Sequence, residues 1–121
     1  MNFAKFNTID VEVKKHHNNG NTYFAGTITL DFNTDKERTY LMPFQYGYGY
    51  QWEHEMKATL SYFNEMSIPK FTFWSQFLKE NNIDYRTNII DDCRQKELKE
   101  LVNNYDSLVE YIRDKKATLK A

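Results

Sequence analysis

Between Arg38 and Trp52 the chain changes its hydrophobic period, and every other segment takes its meaning from that change. Upstream, apolar residues recur at every second position; downstream, at every third or fourth. A period of two belongs to a pleated strand and one of 3.6 to a helix. The switch therefore predicts an α+β chain, with the sheet first and the helices after it. Its sequence is RTYLMPFQYGYGYQW, in which Tyr46, Tyr48 and Tyr50 alternate with Gly47 and Gly49, and Trp52 follows two positions on.

Upstream of the switch, Ile9, Val11 and Val13 alternate with Asp10, Glu12 and Lys14 along a first strand from Phe6 to Lys15. His16 to Asn21, HHNNGN, has the composition of a tight turn, because Asn and Gly tolerate positive φ. Thr22 to Phe32 reads as a second strand with Phe24, Ile28, Leu30 and Phe32 on one face; Gly26 marks a bulge or a close neighbour. Asn33 to Glu37 forms the next turn. A third strand, Arg38 to Phe44, puts Tyr40, Met42 and Phe44 in phase. Pro43 has no N–H to donate, which places that strand at an edge.

Downstream, Trp52, Met56, Leu60 and Phe63 make one apolar stripe on a helix from Gln51 to Glu65. Ser67-Ile68-Pro69 breaks it, and Phe71 to Asn81 reads as a short aromatic helix ended by Asn81-Asn82. Ile83 to Asn88 is a connector. Asp91 or Asp92 would cap a last helix whose seam runs through Leu98, Leu101, Val102, Tyr105, Leu108, Val109 and Ile112, continuous to Lys116 unless Asn103-Asn104 divides it. The expectation is one domain over 1–121: a three-stranded antiparallel meander in 1–50, three helices on one sheet face in 51–116, and a tail in 117–121.

Of the 121 residues, 40% are hydrophobic and 17% aromatic, so nine Phe, nine Tyr and two Trp carry an unusual share of the core. The 16 basic and 17 acidic side chains give a net charge of -1. That lacks the basic excess usual in proteins that hold nucleic acid by its phosphates. Cys93 is the sole cysteine, which excludes an internal disulfide and a cysteine-built zinc site and suits a reducing cytoplasm. No run approaches the roughly 20 apolar residues that span a bilayer, and the opening MNFAKFNTIDVEV has no leader-like apolar core. No membrane partner is expected.

Candidate chemistry is sparse. His16 and His17 are neighbours that would point to opposite faces if extended, and turn composition surrounds them. Glu53-His54-Glu55 lacks the second histidine of a zinc-protease motif, since Ala58 stands four positions after His54. Asp91-Asp92 suits a helix start, and Cys93 has no histidine beside it in sequence to activate it. The expectation is no enzyme, metal or cofactor; a small nuclease using His16, His17 or His54 is the weakest alternative. YGYGYQW is what remains: rigid amphipathic rings suited to a protein contact or to stacking with unpaired bases. The partner-binding residues read from the sequence are Arg38, Tyr46, Tyr48, Tyr50 and Trp52. The last-helix seam is also suited to pair with a second chain.

The layout resembles that of small phage accessory proteins, several of which are anti-CRISPR inhibitors of host defence. The resemblance is carried by a hairpin with Arg38-Thr39-Tyr40, a Gly-containing loop, a Phe-x-x-x-Phe helix (Phe73, Phe77), an Asp84-Tyr85 step, and a helix with Leu101, Tyr105 and Leu108. It departs from them in having an aromatic rather than a Gly/Ser-rich loop. The resemblance implies a stoichiometric blocker of an RNA-guided nuclease or its guide-RNA complex, acting in the cytoplasm of an infected bacterium. A single-stranded RNA or DNA binder using the same rings is the alternative reading.

Overall fold

A computed structural model describes residues 3–103. Strands β1 (Thr8–Asn18), β2 (Asn21–Leu30) and β3 (Arg38–Tyr46) precede helices α1 (Gln51–Tyr62) and α2 (Trp74–Glu80). A further strand, β4 (Asp84–Ile90), and helix α3 (Gln95–Asn103) complete the described chain. The sheet is four-stranded in the order β3-β2-β1-β4. The β1–β2 and β2–β3 pairs are antiparallel, as the alternation requires, but β4 lies parallel to β1, with Thr8 beside Asp84 and Lys14 beside Ile90. The α+β class stands, and the three-stranded meander is corrected to a mixed four-stranded sheet. A parallel neighbour needs a crossover, and here α1 and α2 supply it.

One sheet face holds the main core. Ile9, Val11, Val13, Phe24, Ile28, Leu30 and Met42 meet Trp52, Met56 and Leu60 of α1 and Phe77 of α2, all buried. Each such large side chain contributes roughly 1.5–3 kcal/mol by leaving water. The amino-terminal segment closes one end: Ala4 bridges Met66, the Lys5 amide donates to the Glu65 carbonyl, and the Ser67 amide to that of Phe3.

The helices do not share one face. α3 lies against β1, β2 and β3 on the opposite side, where Leu98 and Cys93 bury Ala25 beneath Tyr23 and Phe44. Four smaller expectations also change. β1 runs on to Asn18, so His16 and His17 belong to a strand, and the turn contracts to Asn19-Gly20. The register between β2 and β3 slips between Phe24 and Gly26, the bulge that Gly26 announced. The extra residue on β3 turns Phe44 away from Tyr40 and Met42 and onto the α3 side. Phe32 lies past the end of β2 and is exposed. Asp91 and Asp92 precede α3 without capping it: the Arg94 amide donates to Glu97 instead, at 3.4 Å, and Asp91 sits 3.6 Å from His17. The seam from Leu101 to Ile112, its division at Asn103-Asn104 and the dimer contact assigned to it concern side chains and residues outside the described ones.

Candidate functional site

β3 ends at Tyr46 and α1 begins at Gln51, leaving four residues to turn the chain from sheet to helix. The two glycines in that turn do different things. Gly49 has φ +52°, which side chains disfavour. Gly47 supplies room: a Cβ there would lie 2.7 Å from the Phe24 ring and 2.7 Å from Gln51. With both glycines in place the tyrosine between them and the two that flank them project from the surface. Tyr46 is 53%, Tyr48 49% and Tyr50 71% exposed.

These rings are held in position. The Tyr48 hydroxyl donates to the Gly20 carbonyl at 3.1 Å, tying the loop to the β1–β2 turn. Lys15 Nζ donates to the Gly49 carbonyl, also at 3.1 Å. Tyr46 packs edge-on against Tyr48 (5.1 Å between centroids) and against Tyr23 (5.7 Å), and Tyr23 stacks on Phe44 at 5.3 Å. His16 continues the row beside Tyr23 at 6.3 Å. The result is an aromatic ridge across the end of β1, β2 and β3. Lys99 of α3 lies over Phe44, 5.3 Å from its centroid, a favourable place for a cation. Hydrogen bonding with Tyr48, followed by burial, holds the Tyr46 phenol above its ordinary pKa.

Trp52 and Arg38 are placed differently from the three tyrosines. Trp52 is 2% exposed and lies in the main core; its ring lies beneath Tyr50, 6.5 Å between centroids, and supports the loop from inside. Arg38 is occupied within the fold. Its Nε and Nη2 donate to the two Glu65 oxygens at 2.6 Å each, and Nη1 to Asp31 at 3.2 Å. The Tyr40 hydroxyl also donates to Glu65, at 2.6 Å. Burial alone would raise both carboxyls. The Asn7 and Thr8 amides and Arg38 outweigh it at Asp31, and Arg38 with Tyr40 at Glu65, leaving both below their ordinary values. The Glu65 hydrogen bond is the main reason that Arg38 is raised, and burial followed by Glu65 pushes Tyr40 up to about 12.

Tyr23, Phe44 and His16 are members of the ridge that the sequence reading left out. The signal was present for Tyr23, which alternates with Phe24 and so had to emerge on the opposite face. Phe44 was hidden by the bulge, and His16 by being read as turn.

Elsewhere the side chains with chemical potential are paired or apart. His16 Nδ1–H donates to the Cys93 carbonyl at 2.8 Å, so the histidine meets that residue's backbone rather than its thiol. Burial first, then Glu97, pushes the Cys93 thiol up, the opposite of nucleophile activation. Among the described residues no group of three His, Cys, Asp or Glu side chains is gathered to hold a metal. A shallow concavity of about 310 Å³ on the α3 side is lined by Asp10, Glu12, Thr29, Phe32, Arg86 and Asn88. Its Arg86 and Asp10 neutralise each other through two bonds, 2.7 and 2.9 Å. Phe71 (96% exposed) and Phe73 (78%) stand on the loop between α1 and α2 as a separate pair. Among the described residues no helix is long and apolar enough to cross a membrane.

Comparison of the chain with protein-family models, with curated proteins and with solved structures finds no match.

Proposed function

We propose that this chain is a stoichiometric binding protein that recognises a protein partner through the ridge of Tyr46, Tyr48 and Tyr50, extended by Tyr23 and Phe44. In this reading it is an inhibitor of the anti-CRISPR kind, which occupies a host RNA-guided nuclease complex inside an infected bacterium. The observation that carries the recognition role is the combination of exposure and fixation. Three phenol rings face solvent, yet Tyr48 is anchored through its hydroxyl, Tyr46 packs against Tyr48 and Tyr23, and Tyr50 lies against the Trp52 ring. Tyrosine joins a large apolar face to a polar tip and loses little rotamer freedom on binding, and preorganised rings lose less still. The choice of an RNA-guided nuclease as the partner comes from the resemblance to phage inhibitors.

The test is capture of purified RNA-guided nuclease complexes by the immobilised chain, wild type against a Tyr46/Tyr48/Tyr50→Ala variant. Central aromatic anchors are worth about 2 kcal/mol or more each when truncated, so loss of all three reduces capture beyond detection. Capture unchanged by the variant would remove the ridge from the interaction. Binding of bare oligonucleotides that weakens steeply with salt, with no nuclease captured, would favour base stacking on the same rings instead.

A further inference from the structure

We infer that β4 is a docking edge for a second copy of this chain, which pairs with it antiparallel about a two-fold axis through Thr87. The inference concerns the β4 edge of the sheet, away from Tyr46, Tyr48 and Tyr50 at the β3 end of the strand order, and does not rest on the proposed function. Among the described residues β4 is hydrogen-bonded to β1 on one side only and ends the strand order. The Asp84 amide points inward, donating to the Asn7 carbonyl. By the alternation of a strand, Arg86, Asn88 and Ile90 also direct their backbone groups toward β1. Tyr85, Thr87 and Ile89 then direct theirs outward, and none of these amides has a backbone partner outside the β1 ladder among the described residues.

The two sheet edges are treated differently by the sequence. β3 carries Pro43 and a bulge, both of which blunt edge pairing. β4, with sequence DYRTNII, has no Pro, Gly, Lys or bulge, and all of its residues but Tyr85 are exposed. Arg86, its one cation, is folded back onto Asp10.

The residues of β4 select the occupant. In a two-fold pairing centred on Thr87, Tyr85 faces Ile89 of the other copy and Ile89 faces Tyr85, so every outward backbone group meets an outward group. Those two positions form aromatic–β-branched pairs, a favourable cross-strand combination, and cover Ile89, which is 38% exposed. Arg86 faces Asn88 and Asp84 faces Ile90, so no like charges oppose. The residue that meets its own copy is the uncharged Thr87. Two four-stranded sheets would thus join into one, with a tyrosine ridge near each outer edge.

Sedimentation equilibrium across a concentration series tests this with Thr87→Lys and Thr87→Glu. Residue 87 is exposed, and its backbone groups are not used by β1, so circular dichroism should show both variants folded. The wild type should reach twice the chain mass. Each variant alone places like charges face to face on the axis and should dissociate about 10-fold more readily or worse, whereas an equimolar mixture of the two should regain the dimer. Thr87→Pro, which deletes the central outward N–H from both copies, should also dissociate. A wild type that stays at chain mass throughout, a dimer indifferent to these substitutions, or a Lys/Glu mixture that fails to recombine would overturn the inference.

Discussion

Replacing Arg38 with Ala separates the internal role of this residue from a role at the surface. The substitution leaves Glu65 and Asp31, whose side chains are each 8% exposed, without the guanidinium that holds them 2.6 and 3.2 Å away. Removing one partner of a buried pair costs about 3–5 kcal/mol. Arg38 itself keeps 27% of its side chain in water, which screens the interaction and lowers the expected loss to about 2–4 kcal/mol. At roughly 4 °C of melting temperature per kcal/mol for a domain of this size, the midpoint should fall by about 8–16 °C. The pH dependence fixes the cause. Both carboxyls have depressed values in the folded state, so their contribution is present above the unfolded values of 3.8 and 4.5 and is lost as pH falls through the folded ones. Urea unfolding followed by circular dichroism should therefore show the largest gap between wild type and variant at pH 7 and a shrinking gap toward pH 3. A variant as stable as wild type at pH 7 would refute this reasoning. Should that variant also lose partner capture, Arg38 would belong to the binding surface instead.

The remaining predictions concern the ridge and its support. Trp52→Ala removes a ring that is 2% exposed and should cost about 3–5 kcal/mol, whereas Tyr50→Ala, at 71% exposure, should change stability by less than about 0.5 kcal/mol; parallel urea titrations compare them. Gly47→Ala drives a methyl to 2.7 Å from the buried Phe24 ring and should lose about 1–3 kcal/mol with the fold retained, again read by urea. The Cys93 thiol is buried and its pKa raised, so thiol-reagent labelling at pH 7 should be slow and should accelerate in urea; fast labelling of the native chain would contradict the placement.

The legible parts of the fold were those where one face is buried and the other is not. β1 and β2 alternate because α1 and α2 cover a single side of them along most of their length, and the Trp52–Met56–Leu60 stripe of α1 answers that face. β4 does not alternate, because an exposed edge strand has no buried face to enforce a pattern: of DYRTNII, only Tyr85 is even half-buried. Its pairing with β1 is a long-range fact, and its residues read locally as connector. The position of α3 was hidden for a related reason. The patch that receives it is built on Ala25, a small residue that carries little hydrophobic signal, and on Phe44, which reaches that side through the β2–β3 register slip.

The same distinction governs the candidate site. The tyrosines at 46, 48 and 50 were visible as an aromatic–glycine alternation that neither strand nor helix explains. Helical spacing already set Trp52 in one stripe with Met56 and Leu60, on what is the buried side of α1, but it could not tell that Arg38 finds two carboxylates 7 and 27 positions away. Trp52 supports the loop from below, and Arg38 fastens the start of β3, at the other end of the strand from Tyr46.

The most direct measurement is target-DNA cleavage by a purified RNA-guided nuclease complex incubated with an equimolar amount of this chain. Wild type should suppress cleavage, and the folded Tyr46/Tyr48/Tyr50→Ala variant should restore it. Full suppression by the variant, or unimpeded cleavage in the presence of wild type across a panel of such nucleases, would contradict the account.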